Sequence, residues 1–148
     1  MIHGDFIIRE VDGTATAEVL HYLNAQDAQF PELKDHHLEQ GYWWLARTWS
    51  RAIVGFAGMV PKVPYPGVGY FKRCWISPTA RGNGLQMVFM RLREAKAREL
   101  GWTTLTSEVA GDNERSIANF LKSGFITFEP EQCWGAPGSV YFVKRLTA

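Results

Sequence analysis

The stretch Ser77-Pro78-Thr79-Ala80-Arg81-Gly82-Asn83-Gly84-Leu85-Gln86 decides the fold, because it joins a strand-like run to the strongest helical run of the chain. Upstream, Val68-Gly69-Tyr70-Phe71-Lys72-Arg73-Cys74-Trp75-Ile76 is rich in aromatic and β-branched residues and reads as a strand. Downstream, Leu85, Val88, Phe89, Leu92 and Ala95 recur at three- and four-residue spacing and predict a helix over residues 85–100. Gly101 stands where a helix end needs a left-handed residue. Two glycines in a loop that opens a helix directly after a strand let the backbone come close to an anion, which the free amides and dipole of the helix start then favour. Arg81 adds a cation for a charge-assisted contact. Taken alone, the loop reads equally well as a tight turn. It is neither a P-loop, which continues Gly-Lys-Ser/Thr, nor a G-x-G-x-x-G dinucleotide loop.

Beyond this join, residues 103–109 read as a strand, so the unit from Val68 to Val109 predicts a right-handed parallel crossover. Residues 114–123 read as a second helix with Ile117, Phe120 and Leu121 facing inward, and Asp112 and Asn113 are both good N-caps. Gly124-Phe125 is a helix stop in which Phe125 packs back on Phe120. Residues 126–128 and 139–146 close the chain as strands. Toward the start, residues 42–49 and 52–60 are strand-like runs joined by Ser50-Arg51, a hairpin signal. Residues 61–67 break regular structure with three prolines and a glycine. Residues 6–10 read as a strand, 15–24 as a helix, and 26–40 as a polar loop with a short helix. The expectation is an α/β (α+β) fold: a mixed, mostly antiparallel sheet with a central βαβ crossover, flanked by helices, in a single domain over residues 1–148.

Composition narrows the function classes. The 148 residues are 46% hydrophobic and 21% charged, which suits a packed globular chain rather than a disordered one. The formal net charge of +1 predicts neither a nucleic-acid nor a membrane-surface binder, and it offers no overall field that would select an acidic or a basic substrate. No apolar run approaches the ~20 residues of a membrane helix. Residues 1–5 lack the pattern of a secretory signal. Cys74 and Cys133, far apart and without metal-type spacing, read as free thiols of a reducing compartment, so a cytoplasmic location is expected. Cys74 lies in an apolar run and reads as a buried small hydrophobe. His36 and His37 have no evident third ligand, and no metal is expected.

Three stretches together resemble the GNAT superfamily of acyl-CoA-dependent N-acyltransferases. Cys74-Trp75-Ile76-Ser77-Pro78 is similar to that family's fourth strand and its exit. Arg81-Gly82-Asn83-Gly84-Leu85-Gln86 is similar to its R/Q-x-x-G-x-G/A pyrophosphate loop. The run from Asn113 to Phe125 is similar to its N-x-x-A-x-x-x-Y-x-x-x-G-F helix. The order of elements agrees over nearly the whole chain, although the first 65 residues agree in pattern alone. Gly84-Leu85-Gln86, with the aromatic segment from Phe128 to Trp134, is similar to short members found in bacteria and their phages.

The resemblance implies that the fourth and fifth strands of that family's sheet splay apart and take the pantetheine arm of acetyl-CoA between them. Backbone amides near Trp75 and Ile76 would bond that arm, one of them polarising the thioester oxygen. Amides of Gly82, Asn83, Gly84, Leu85 and Gln86, beside Arg81, would hold the pyrophosphate, and Asn113 would bond the pantetheine or a nearby water. An amine of a small molecule or peptide then attacks the thioester directly, which makes the chemistry largely one of positioning. Glu108 is the first candidate for the base, ahead of Tyr70, the His36-His37 pair and Glu39. Two positions depart from the family pattern. Gln86 replaces a small residue. Phe120 stands where many members have a tyrosine that protonates the leaving thiolate, which Phe cannot do; losing such an acid costs ~10²-fold or more, and water or Ser116 would have to substitute. The expected partners are acetyl-CoA and an amine acceptor, with a homodimer as one possible assembly. A non-catalytic acyl-CoA-binding or sensor module, and an interaction protein that keeps the fold alone, are the competing classes.

Overall fold

The computed structural model describes residues 1–147. The chain runs β1 (Ile2–His3), β2 (Phe6–Val11), α1 (Ala17–Asn24), α2 (Asp35–Gln40), β3 (Tyr42–Thr48), β4 (Ile53–Pro61), β5 (Val68–Ile76), a short 3-10 turn (Pro78–Ala80), α3 (Leu85–Glu99), β6 (Thr104–Val109), α4 (Glu114–Lys122), β7 (Ile126–Phe128) and β8 (Val140–Arg145). Among the described residues, eight strands form one sheet in the order β1-β2-β3-β4-β5-β6-β8-β7. Every pairing is antiparallel except β5–β6, where the α3 crossover makes it parallel. This is the mixed, mostly antiparallel sheet that the sequence predicts.

Both faces are buried. One carries Phe71, Val88, Phe89, Leu105, Phe120, Phe125 and Phe142, gathered beneath α3 and α4. The other carries Leu20, Leu23, Leu38, Trp43, Leu45 and Phe56, gathered beneath α1 and α2. Each such side chain, fully buried, contributes about 1.5–3 kcal/mol. A Cβ on Gly58 would overlap the Trp43 ring, and one on Gly69 would overlap Trp102, so glycine is what admits these indoles against the sheet.

Two expectations change, the inward placements of Leu121 and Ala95, and two features are new. β1, two residues long, had no sequence signal. Leu121 is 52% exposed rather than inward, while Phe120 is buried. On α3, Ala95 is exposed, and the buried stripe continues through Arg93 and Ala97. A guanidinium reads as surface in a hydrophobicity pattern; here backbone carbonyls surround it. Among the described residues no helix is long and apolar enough to cross a membrane.

Two features of β5 position the site. It pairs with β6 over three residues, from Val68↔Thr104 to Tyr70↔Thr106, and beyond Tyr70 the two strands part. Opposite β4 the register slips between Ala57 and Gly58, so that Ala57 faces Cys74, Gly58 faces Lys72 and Arg73 is the extra residue. Arg73 has φ +62°, a left-handed conformation that costs a non-glycine residue about 1–3 kcal/mol and must be held by its surroundings.

Candidate active site

The parting of β5 and β6 opens a cleft of about 1170 Å³ that runs from the α3 loop, past the start of α4, to the segment before β8. The Ser77 amide donates to the Val54 carbonyl, which fixes the alternation along β5. Val54–Ser77 and Phe56–Trp75 are then the pairs bonded across β4–β5, so the Trp75 N–H points at β4. The N–H groups of Cys74 and Ile76 point the other way, into the cleft. The Ile76 carbonyl, on that same side, accepts from Arg81 Nε at 3.0 Å. Trp75 and Ile76 both line the cleft, and the alternation gives the free amide to Ile76.

The bulge has an anchor that the sequence did not reveal. Arg93 is 1% exposed. Its Nη1 donates to the Gly58 carbonyl at 3.2 Å and to the Arg73 carbonyl at 3.4 Å, its Nε donates to the Phe89 carbonyl at 3.2 Å, and its guanidinium lies 4.0 Å from the Phe71 ring centroid. Burial lowers its pKa to about 10, with the nearby Cys74 acting against that shift. The Cys74 thiol is itself pushed up by burial, which leaves it an inert thiol rather than a nucleophile.

The glycine loop takes the shape its residues allow. Gly82 and Gly84 have φ +83° and +78°, and Gly84 caps α3 in the left-handed conformation. The first amide bonded along the helix is that of Val88, on the Gly84 carbonyl at 3.1 Å. The amides of Leu85, Gln86 and Met87 precede it and form the open N-terminal end. Asn83 braces the loop from within, its Nδ2 donating to the Ala80 carbonyl at 2.9 Å. His3 of β1 braces it from outside, its Nε2 donating to the Asn83 carbonyl at 2.7 Å. An anion arriving here would meet backbone donors, with Arg81 at the rim.

Gln86 is turned toward α4. Its Nε2 donates to Ser116 Oγ at 3.0 Å, and its Oε1 accepts from Asn119 Nδ2 at 2.8 Å. The side chain is therefore a tie between the two helices rather than a plug in the loop. Asn113 caps α4, its Oδ1 accepting the Ser116 amide at 3.2 Å, so that its Nδ2 is the group left for a ligand. Phe120 stacks on Phe142 with centroids 4.9 Å apart and meets Phe125 edge-on at 5.0 Å. The Phe125 amide donates to the Phe120 carbonyl, closing the helix stop.

Glu108 stands opposite Tyr141 across β6–β8 and lines the cleft. A Cβ on Gly135 would overlap its carboxylate, so the segment before β8 passes directly over it. The Gly135 amide donates to the Tyr141 hydroxyl at 2.9 Å. The weaker base candidates fare worse. Burial, with the Glu108 charge adding, raises Tyr70 to about 12 and keeps it a neutral phenol. Burial first, then the charges of Lys72, His36, Arg73 and Lys34, lowers His37 to about 4. Nothing in the sequence pointed to Gly135, Arg93 or His3, whose roles arise from contacts between distant segments.

A sheet parted beside a parallel crossover, with an open anion loop at the mouth of the gap, defines a class of CoA-dependent acyltransferases. The chain belongs to the Acetyltransferase (GNAT) family, which residues 10–125 match. Among solved structures it is similar to a proposed acyl-CoA N-acyltransferase of Klebsiella pneumoniae, at 26% identity and TM-score 0.76, over 96% of this chain and 98% of that one. It is also similar in fold to the ribosomal-protein-S18-alanine N-acetyltransferase of Escherichia coli, at 14% identity and TM-score 0.77, over 97% and 95% of the two chains. A Bacillus subtilis acetyltransferase in complex with CoA shares the fold at 15% identity and TM-score 0.76, over 96% and 99%. No curated protein sequence matches the chain. The family makes this chain an acyltransferase that draws its acyl group from CoA.

Proposed function

We propose that the chain, acting as one domain over residues 1–148, is an acetyl-CoA-dependent N-acetyltransferase that moves the acetyl group to an amine by direct attack on the thioester. The observation that carries this reading is the free Ile76 amide in the β5–β6 gap, on the same cleft as the open N-terminal amides of α3 at Leu85, Gln86 and Met87. The fold shared with the CoA-bound Bacillus subtilis structure supports it. In this reading the Gly82, Asn83, Gly84, Leu85 and Gln86 amides and Arg81 bind the pyrophosphate, and Asn113 Nδ2 meets the pantetheine. The acceptor nitrogen attacks the carbonyl carbon. The oxygen gains charge against the Ile76 N–H, the C–N bond forms, and the proton of the amine passes to Glu108, directly or through water. The C–S bond then breaks. Ser116, whose oxygen already accepts from Gln86 Nε2, keeps its own hydrogen for a hydrogen bond to the departing thiolate, which takes its proton from water. With a thiol pKa of about 8.5 the leaving group needs modest help.

Phe120 favours a second reading. It is 5% exposed within an aromatic stack, so nothing at that position donates a proton. A non-catalytic acyl-CoA sensor would have the same cleft.

Thermal melting with acetyl-CoA and thiol release over an amine panel separate the two. At ~100 times its dissociation constant the ligand adds ~2.7 kcal/mol of stability. Gly84→Glu places a bulky anion on the loop and removes this shift; a shift that survives the substitution refutes the loop assignment. Glu108→Gln lowers turnover and leaves the shift in place. Binding without turnover of any amine selects the sensor.

A further inference from the structure

The net charge of +1 gives no preference to any acceptor, but folding redistributes that charge. On the α1/α2 side of the cleft, cations from separate segments converge around Tyr70. Lys62, just past β4, has its Nζ 5.2 Å from the Tyr70 ring centroid, and Lys72 of β5 has its Nζ 5.8 Å from the same centroid. Arg73 follows Lys72 into the bulge, its Nε on Asn24 Oδ1 at 3.0 Å and its Nη2 on the Pro31 carbonyl at 2.9 Å. Lys34, His36 and His37 approach from α2. None of Lys62, Lys72 and Arg73 is in an ion pair among the described residues. Glu108 is the acid that acts on Lys72 and Arg73, and Asp27, whose Oδ1 accepts the Gln29 amide, stands at the cleft mouth; Glu32, Asp35 and Glu39, from the loop and α2, are exposed.

This crowding is costly to the free protein. Burial first, with Arg73 and Lys62 adding to it, lowers Lys72 to about 8 against the pull of Glu108. Lys62 holds its ammonium 3.5 Å from the centroid of the Trp134 ring, with an aromatic face in place of a counter-ion. Trp134 in turn meets Tyr141 edge-on at 4.6 Å and Tyr70 at 6.3 Å. Tyr70 and Arg73 line the cleft, and like charges gathered behind them against aromatic walls focus a positive field that an anion would relieve.

We propose that the acceptor carries a carboxylate as well as its amine, and that Lys62 and Lys72 take the carboxylate over the Tyr70–Trp134 walls while Glu108 faces the amine. This rests on the acyl-transfer reading above and names its substrate class as amines of the amino-acid type. Lys62 then moves off Trp134 to meet the acceptor.

The test uses matched sets: aromatic, aliphatic and acidic amino acids, each with its primary amide and its decarboxylated amine. Thiol release from acetyl-CoA is expected to favour the acid by at least about tenfold in kcat/KM within a set, the equivalent of one charge-assisted contact. Lys62→Gln with Lys72→Gln brings that ratio close to one and leaves the acetyl-CoA melting shift intact, while the double arginine variant keeps the preference. Amides or decarboxylated amines used as well as the acids overturn the proposal, as does a ratio unchanged in the double glutamine variant. Aminophosphonates preferred over the carboxylates also overturn it. A second measurement is independent of turnover: quenching of tryptophan fluorescence by N-acetyl amino acids. Saturable quenching in the native protein that is lost in the glutamine variant upholds the carboxylate site even if no amine is acetylated, in which case the transfer reading alone fails. No acid-specific quenching and no acid preference together overturn the proposal.

Discussion

Arg93→Met is the sharpest probe of how the cleft is built. Met has a similar length and an unbranched stem, so the change removes a charge and its donors with little loss of packing. Two strand carbonyls, Gly58 and Arg73, lose their charge-assisted donor. At ~1.5–3 kcal/mol each this is a gross loss of roughly 3–6 kcal/mol. Against it stands the relief of a buried cation. Burial lowers the Arg93 pKa from 12.5 to about 10, which corresponds to roughly 3 kcal/mol. The net expectation is a loss of about 0–3 kcal/mol, or up to roughly 12 °C in Tm for a domain of this size. Function should suffer more than stability. With nothing holding its carbonyl, Arg73 leaves the left-handed conformation and re-aims the Cys74 and Ile76 amides. A displacement near 1 Å can lower turnover by as much as ~10²-fold. Differential scanning calorimetry gives the first quantity. Steady-state kinetics well below Tm, with acetyl-CoA varied, give the second. An Arg93→Met protein that melts within 1 °C of the native one and keeps its kcat/KM refutes the anchoring role. Arg93→Lys retains the charge on a single point donor and should recover part of both losses.

Gln86→Ala removes two side-chain bonds between α3 and α4; urea unfolding should show a loss of about 1–2 kcal/mol, with acetyl-CoA binding retained because the loop donates through its backbone. Gly135→Ala should push the Glu108 carboxylate aside, lowering kcat in the thiol-release assay while the acetyl-CoA melting shift stays unchanged; a normal kcat would separate Glu108 from the chemistry. His37 has a folded pKa of about 4, below its ordinary 6.5, so between those values the unfolded chain binds the extra proton and stability falls as pH falls. His37→Gln should flatten the Tm-against-pH curve in that window and leave it unaltered above pH 7, as judged by melts at stepped pH.

What the sequence disclosed follows from how far each signal travels along the chain. The loop, the start of α3 and the stop at Gly124-Phe125 depend on residues within a few positions of one another, and glycines and an Asn cap mark them unambiguously. The crossover followed from the strand-helix-strand order. Arg93 was hidden because its partners, Gly58 and Arg73, lie 35 and 20 residues away. The left-handed Arg73 carries no local sign, since its conformation is imposed by a register slip against β4. The cationic wall was averaged out of a net charge of +1, because Lys34, Lys62 and Lys72 come together only once the sheet has formed. Glu108 was found as a strand residue beside a gap, whereas the backbone of Gly135 that covers it belongs to a loop with no regular pattern.

The three shared positions of β5 and β6 have a mechanical consequence. At a seam of that length three backbone pairs join the half-sheet of β1–β5 to the half-sheet of β6, β8 and β7, and the core beneath α3 and α4 carries the rest of the joint. Pantetheine laid in the opening would supply the missing rungs and stiffen the joint. The donor substrate would then be a splint as well as a reagent: amide hydrogen exchange at Cys74 and Ile76 should slow when it binds and quicken again as the shorter product leaves.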